Sequence, residues 1–138
     1  MSKIRAKDTK PELFVRSKLH KLGYRFRVNS KLAEGHPDLY FTKKRIAVFV
    51  HGCYWHRHDN CKFAYTPKSN SDFWLKKFVS NVERDRAVMS ILENEHIRVM
   101  IVWECTVKRM MVNNVVCQEN MEKMETFINN EDLPYIEL

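Results

Sequence analysis

The segment His51-Gly52-Cys53-Tyr54-Trp55-His56-Arg57-His58-Asp59-Asn60-Cys61 constrains this chain more than any other. Two cysteines and three histidines crowd into a loop with no apolar run. Such a loop cannot bury enough surface to offset the entropy of ordering it, so something else must hold it. A secreted disulfide scaffold would be shorter and denser in cysteine than 138 residues with four. Cysteine and histidine at short spacing point instead to zinc. Cys53, His58 and Cys61, joined by Cys105 at the end of the run VMIVWE, would complete a closed tetrahedral site. His56 is the competing imidazole, and spacing alone does not exclude it. The plainer reading leaves Cys105 as a buried core thiol, and Cys117 reads as one on its helical pattern.

Length supports one domain spanning 1–138, with enough chain to bury a core. The longest apolar run, Ile46 to Val50, is far short of the ~20 residues that span a bilayer. The opening MSKIRAKDTK lacks the apolar stretch of a secretory signal, so a cytoplasmic protein is expected. Charge is uneven: residues 1–60 carry net +9, 61–110 net +3 and 111–138 net −5. A basic body with an acidic tail fits a polyanion bound by the first two thirds, the plainer reading being a solvated basic surface.

Periodicity lays out the elements. Thr9-Lys10-Pro11-Glu12 is a capping box, followed by Val15, Leu19 and Leu22 at helical spacing and a stop at Gly23. Tyr24 to Val28 alternates like a short strand. After the turn at Gly35-His36-Pro37, Asp38 to Phe41 and Ile46 to Val50 form a hairpin around Thr42-Lys43-Lys44-Arg45. That hairpin places Asp38 near Val50, so Asp38 and His51 emerge at the same strand end. A long helix over about 71–94 carries Trp74, Phe78, Val82, Met89 and Leu92 on one stripe. Ile97 to Trp103 reads as a strand buried on both faces, and a last helix near 117–129 offers Met121, Met124, Phe127 and Ile128. An α/β architecture of helices flanking a small mixed sheet is the economical solution.

The blocks KDTKPE, GHPDLYF, VFVHGCYWHRHDNC, FW, NVERDR and VMIVWEC, in this order over about residues 1–110, resemble the very-short-patch repair endonucleases, bacterial DNA nickases acting at T:G mismatches. The resemblance implies a restriction-endonuclease-like fold with a structural zinc site. It implies a catalytic, magnesium-binding Asp38, with the Val50 carbonyl helping to hold the metal. It further implies active histidines at His51 and His56, with His56 the general base, and a glutamate from the first helix at Glu12. Zinc ligands fall on Cys53, His58, Cys61 and Cys105, and an aromatic wedge on Tyr54, Trp55 and Trp74. The implied partner is mismatched double-stranded DNA, and the implied form a monomer near the nucleoid. The chain departs from the pattern in its short lead before the first helix, its two residues between His58 and Cys61, and His36 beside the proline.

Each of these residues has a plainer role beside the functional one. Asp38 after Pro37 could form a turn, Glu12 could serve only the capping box, and Trp74 could be core. Asp85, between Arg84 and Arg86, reads as a surface or supporting ion-pair residue. Lys43, Lys44, Arg45, Arg57, Lys76 and Lys77 are candidates for phosphate contact. Two rivals follow: an endonuclease of the same fold without mismatch preference, and a zinc-stapled DNA-binding module without catalysis.

Overall fold

A computed structural model of the chain describes residues 9–138. Lys7 and Asp8 of the KDTKPE block, and most of the stretch read for a secretory signal, lie outside the described residues. The first helix, α1 (Lys10–Lys21), starts at the expected capping box. Thr9 Oγ1 accepts from the Glu12 N–H, and the Glu12 carboxylate accepts from the Thr9 N–H at 2.9 Å. Val15 and Leu19 turn inward, and Gly23, at φ +96°, lets the chain reverse where a side chain would be strained.

Only the end of the expected first strand pairs, as β1 (Arg27–Val28). Tyr24 and Phe26 before it pack their rings on Phe41 instead, at 5.9 and 5.8 Å. β2 (Leu39–Phe41) and β3 (Ile46–His51) form the antiparallel hairpin, with Leu39 opposite Val48 and Phe41 opposite Ile46. α2 (Ser71–Asn94) then crosses over to β4 (Arg98–Trp103), which runs parallel to β3 with His51 beside Trp103. The sheet order is β1-β2-β3-β4-β5, with β5 formed by Tyr135–Glu137, parallel to β4.

Alternation along the central strands divides the core into two layers. Leu39, Phe41, Ile46, Val48, Met100 and Val102 face α1 and the two C-terminal helices, α3 (Glu104–Val112) and α4 (Asn114–Asn129). Tyr40, Ala47, Phe49, Val99, Ile101 and Trp103 face the other way, toward Leu92 of α2 and Cys53 of the loop.

The C-terminal part needs correction. α3 follows β4 directly and was not expected, because no loop separates the two and no side chain caps its start. α4 begins at Asn114 rather than near 117, since the Asn113 side chain accepts from the Val115 and Val116 N–H groups and caps it. The acidic segment 111–138 is packed into the fold. Met121, Met124, Phe127 and Ile128 fill the core, and β5 completes the sheet. Among the described residues, no helix is long and apolar enough to cross a membrane.

Candidate functional site

The hairpin register brings Asp38, one residue before β2, level with the end of β3. The Val50 N–H donates to Asp38 Oδ2 at 2.6 Å. Glu12, buried on the first turn of α1, meets the same carboxyl group, and Arg16 one turn later lies close enough to oppose it. Burial, reinforced by Glu12, pushes Asp38 up to about 8, against the Val50 N–H and Arg16. Partly buried beside the buried Glu12, Asp38 therefore holds its proton near pH 7 unless a cation takes that proton's place. That donor set suits a hard divalent ion, which prefers carboxylate and carbonyl oxygen. The residues therefore fit the magnesium expected from the sequence.

Next to this pair lie two imidazoles. His51 ends β3, and His56 follows in the loop, where its N–H donates to the Gly52 carbonyl. Their rings stack, 3.8 Å apart and 5° from parallel. Burial and then the neighbouring His56 hold His51 down to about 3, with Asp85 opposing, so His51 is neutral near pH 7. His56 Nδ1 lies 2.7 Å from Asp85 Oδ2, which comes from α2. A carboxylate only accepts, so it places the ring proton on Nδ1 and leaves Nε2 free to take another. The ligand atoms of His51, His56 and Asp85 lie within 4.8 Å of one another. Parallel stacked rings share no in-plane point, however, so they cannot both coordinate one cation. What the geometry shows is an imidazole oriented by one carboxylate, with its second ring nitrogen left for another partner.

Both imidazoles and Glu12 open on one cleft of about 670 Å³, with Asp38 and Asp85 set behind its lining. Glu12, Val50, His51 and His56 line it, together with Tyr54, Trp55, Lys77, Asn81, Arg84 and Glu104. Sequence reasoning named the strand-end residues but not Asp85 as the partner of His56, nor Asn81. The buried Asn81 amide donates to the Trp55 carbonyl at 3.2 Å, and Arg84 donates to its side-chain oxygen at 2.9 Å. Both helix residues thus brace the loop from α2. A signal was available: Phe78, Asn81 and Asp85 recur at helical spacing on one face.

The competition between the loop histidines is decided by geometry. His58, not His56, joins the thiols, and the ligand atoms of Cys53, His58, Cys61 and Cys105 lie within 4.8 Å of one another. Cys105 Sγ is 3.4 Å from His58 Nδ1, and the Cys105 N–H, in the first turn of α3, points to Cys53 Sγ at 3.4 Å. All four cysteines are free of disulfides, and Cys117 is a buried core thiol apart from the cluster. His58 also stacks on Trp103 at 4.2 Å. Burial, with the neighbouring cysteines, pushes the Cys53 thiol up to about 12, so a cation is needed to make it an anion. Three thiols and an imidazole can hold a tetrahedral metal with no position left open.

The aromatic residues converge as well. Tyr54 meets Trp55, Trp74 and Phe78 at 4.9, 6.0 and 5.3 Å, and Trp74 is half-buried. The first half of α2 therefore packs on the loop more than on the sheet, and Phe73 beside it is exposed. The basic candidates do not converge. Arg57 sits over the Phe78 ring at 3.8 Å and donates to the carbonyls of Tyr54, Ala64 and Tyr65, so its guanidinium ties the loop. Lys43, Lys44 and Arg45 occupy the hairpin turn, at the opposite end from Asp38 and His51. Arg45 moreover donates to the Glu95 carbonyl at 2.7 Å.

With this geometry in hand, comparison with known proteins is informative. Residues 1–62 match a family model described as DNA mismatch endonuclease Vsr. The type II nicking enzyme V.NmeAIP of Neisseria meningitidis serogroup A is 42% identical over 124 residues, covering 90% of this chain and 85% of that one. The DNA mismatch endonuclease Vsr of Escherichia coli K12 is 40% identical over 108 residues, 78% of this chain and 69% of that one. The chain belongs to the Vsr family. Another similar protein is the type II nicking enzyme V.XorIIP of Xanthomonas oryzae, 45% identical over 105 residues, 76% of each chain. The Vsr-family match begins ahead of the Asp38 hairpin and runs through the Cys/His loop, so it covers most of the cleft just described. Asp85 and Cys105 lie beyond the matched residues and reach the site only through the fold.

Proposed function

We propose that this chain is a magnesium-dependent nickase that hydrolyses one phosphodiester bond beside a T:G mismatch in duplex DNA and so initiates repair. The observation that carries the proposal is the convergence, at one strand end, of a pinned, partly buried carboxylate and a carboxylate-oriented imidazole. Asp38 and the Val50 carbonyl would hold magnesium, which when bound supplies charge stabilisation to the phosphate. His56, oriented by Asp85, presents Nε2 to take a proton from the attacking water. Neutral His51 packs against that ring and keeps it in place. Glu12 stands beside Asp38 and adds negative charge to the same donor set. Cys53, His58, Cys61 and Cys105 would hold zinc in a structural role, since four protein ligands leave no reactive position.

Tyr54, Trp55 and Trp74 are the candidate wedge. Unstacking a base step costs a few kcal/mol, and the cost is least at a mismatch. That difference is a physical source of preference for T:G. Lys77 and Arg84 line the cleft and suit phosphate. A restriction-endonuclease-like fold, a monomeric state and a cytoplasmic location beside the nucleoid complete this reading. A second reading, a sequence-specific nickase without mismatch preference, draws support from the similar proteins named as nicking enzymes.

The test is a nicking assay on labelled duplexes with one T:G mismatch or none, in magnesium or EDTA, for the parent and Asp38→Ala. Magnesium-dependent nicking of the mismatched duplex alone, lost in the variant, is expected. Equal cutting of both duplexes would favour the second reading. Binding without cutting across varied sequence contexts would leave a non-catalytic module.

A further inference from the structure

Strand β1 forms one edge of the sheet, and both of its residues are exposed. With the residues that follow it, this edge lies beside residues 37–40 of the hairpin's first arm. Arg27 pairs with Tyr40 near the β2–β3 turn, while the Asn29 N–H donates to the Asp38 carbonyl at the catalytic end. Two shallow grooves lie along this edge, of about 550 and 720 Å³, and they share Phe26 and Arg27. One carries Lys43 and Lys44 from the turn, and the other carries Lys31. No acidic residue lines either groove, and among the described residues no carboxylate pairs with Arg27, Lys31, Lys43 or Lys44. The segment from residue 13 to residue 45 holds nine basic and two acidic residues. Lysines on an exposed strand edge block pairing with another strand, and a row of them without carboxylate partners also offers a phosphate backbone successive contacts.

We propose that this edge is a second DNA-contact track that holds the phosphate backbone at a distance from the cut. The inference rests on the nickase reading for its ligand. β3 places the turn five residues from His51, roughly 17 Å at ~3.3 Å per residue. That is roughly five base pairs at ~3.4 Å each, or half a helical turn. A backbone running along β1 meets Lys31 and Arg27 on the way and Lys43 and Lys44 at its end. Such contacts set register on the duplex and carry no sequence information. The track explains why the basic hairpin turn lies so far from the catalytic cleft.

The experiment measures duplex binding by fluorescence anisotropy in magnesium-free buffer without chelator across a salt series. It compares the parent, Lys43→Ala/Lys44→Ala, Arg27→Ala and the control Lys123→Ala, which removes a lysine from α4. Duplexes carry arms that are long on both sides of the lesion, or trimmed on one side short of roughly five base pairs. On the long duplex the slope of log affinity against log salt should shrink by about 0.9 for each phosphate that the variant no longer neutralises. It should shrink equally with and without a mismatch, and not at all on the duplex trimmed on the side that would reach the turn. A slope change no larger than that of Lys123→Ala, or the same change on every trimmed duplex, overturns the track. An unchanged slope with lost self-association would assign the edge to the acidic face of a second copy instead. Because binding is read without magnesium, a protein that never nicks when magnesium is added but keeps the slope difference would sink the nickase reading and leave the track standing.

Discussion

Asp85 acts on the proposed chemistry through one hydrogen bond, so its removal separates tautomer control from binding. Asp85→Asn should lower the nicking rate about 10²- to 10⁴-fold, because an amide no longer forces the proton onto Nδ1. Duplex affinity measured in magnesium-free buffer without chelator should be unchanged. His51 offers a second test at this scale. The folded protein holds it down to about 3, against 6.5 ordinarily, chiefly through burial. Below about pH 6.5 the unfolded chain therefore takes up a proton that the folded one refuses. Its contribution to stability is complete above that pH and is lost as pH falls toward 3. Urea midpoints at about pH 7.5 and pH 5 should drop further in the parent than in His51→Gln, and equal drops would contradict the assignment. The pairing of Asp38 with Val50 was legible because hairpin register follows from turn position. Asp85 was hidden by its flanking arginines, which make an inward-facing residue look like part of a solvated charge run.

Elements with strong local signals were the ones the sequence revealed. The capping box set the start of α1, and the apolar stripe gave α2 to the residue. α3 and β5 lacked such signals. One continues an apolar strand without a break, and the other is three residues long and exists only because β4 offers it an edge. The turn before Asp38 shows how one residue positions an element. Gly35 adopts φ +79°, and a Cβ there would lie 2.6 Å from Val88 Cγ1 on α2. Gly35→Ala must therefore strain the backbone and displace α2 together. A drop of about 1–3 kcal/mol in urea denaturation is expected, and with it weaker nicking, since His36-Pro37-Asp38 shift with the turn. An alanine variant as stable as the parent would show that the turn relaxes freely.

Across the molecule, the Cys/His cluster links pieces that the chain keeps far apart. Cys53 and Cys61 belong to the loop after β3, while Cys105 begins α3 beyond a complete crossover. The composition of the cluster was legible in the sequence. Spacing alone leaves His56 and His58 open and only the resemblance chooses His58; in the fold His58 lies 3.4 Å from Cys105 Sγ while His56 turns to Asp85. Stripping metal with a strong chelator should lower the melting temperature by ~10 °C, as several kcal/mol of metal-coupled stability is removed. Cys105→Ser should lose bound zinc by elemental analysis and lose nicking with it. Full metal content in Cys105→Ser would place the metal elsewhere. The same wide separation governs when the site can exist during synthesis. Cys105 follows Cys61 by 44 residues, a delay of roughly 2–9 s at ribosomal speed. Until it emerges, the cluster that ties the loop bearing His56 to the end of β4 lacks one of its four residues, and only contacts such as Asn81 to Trp55 can brace that loop. A nascent chain therefore passes through most of translation before its cutting machinery can close.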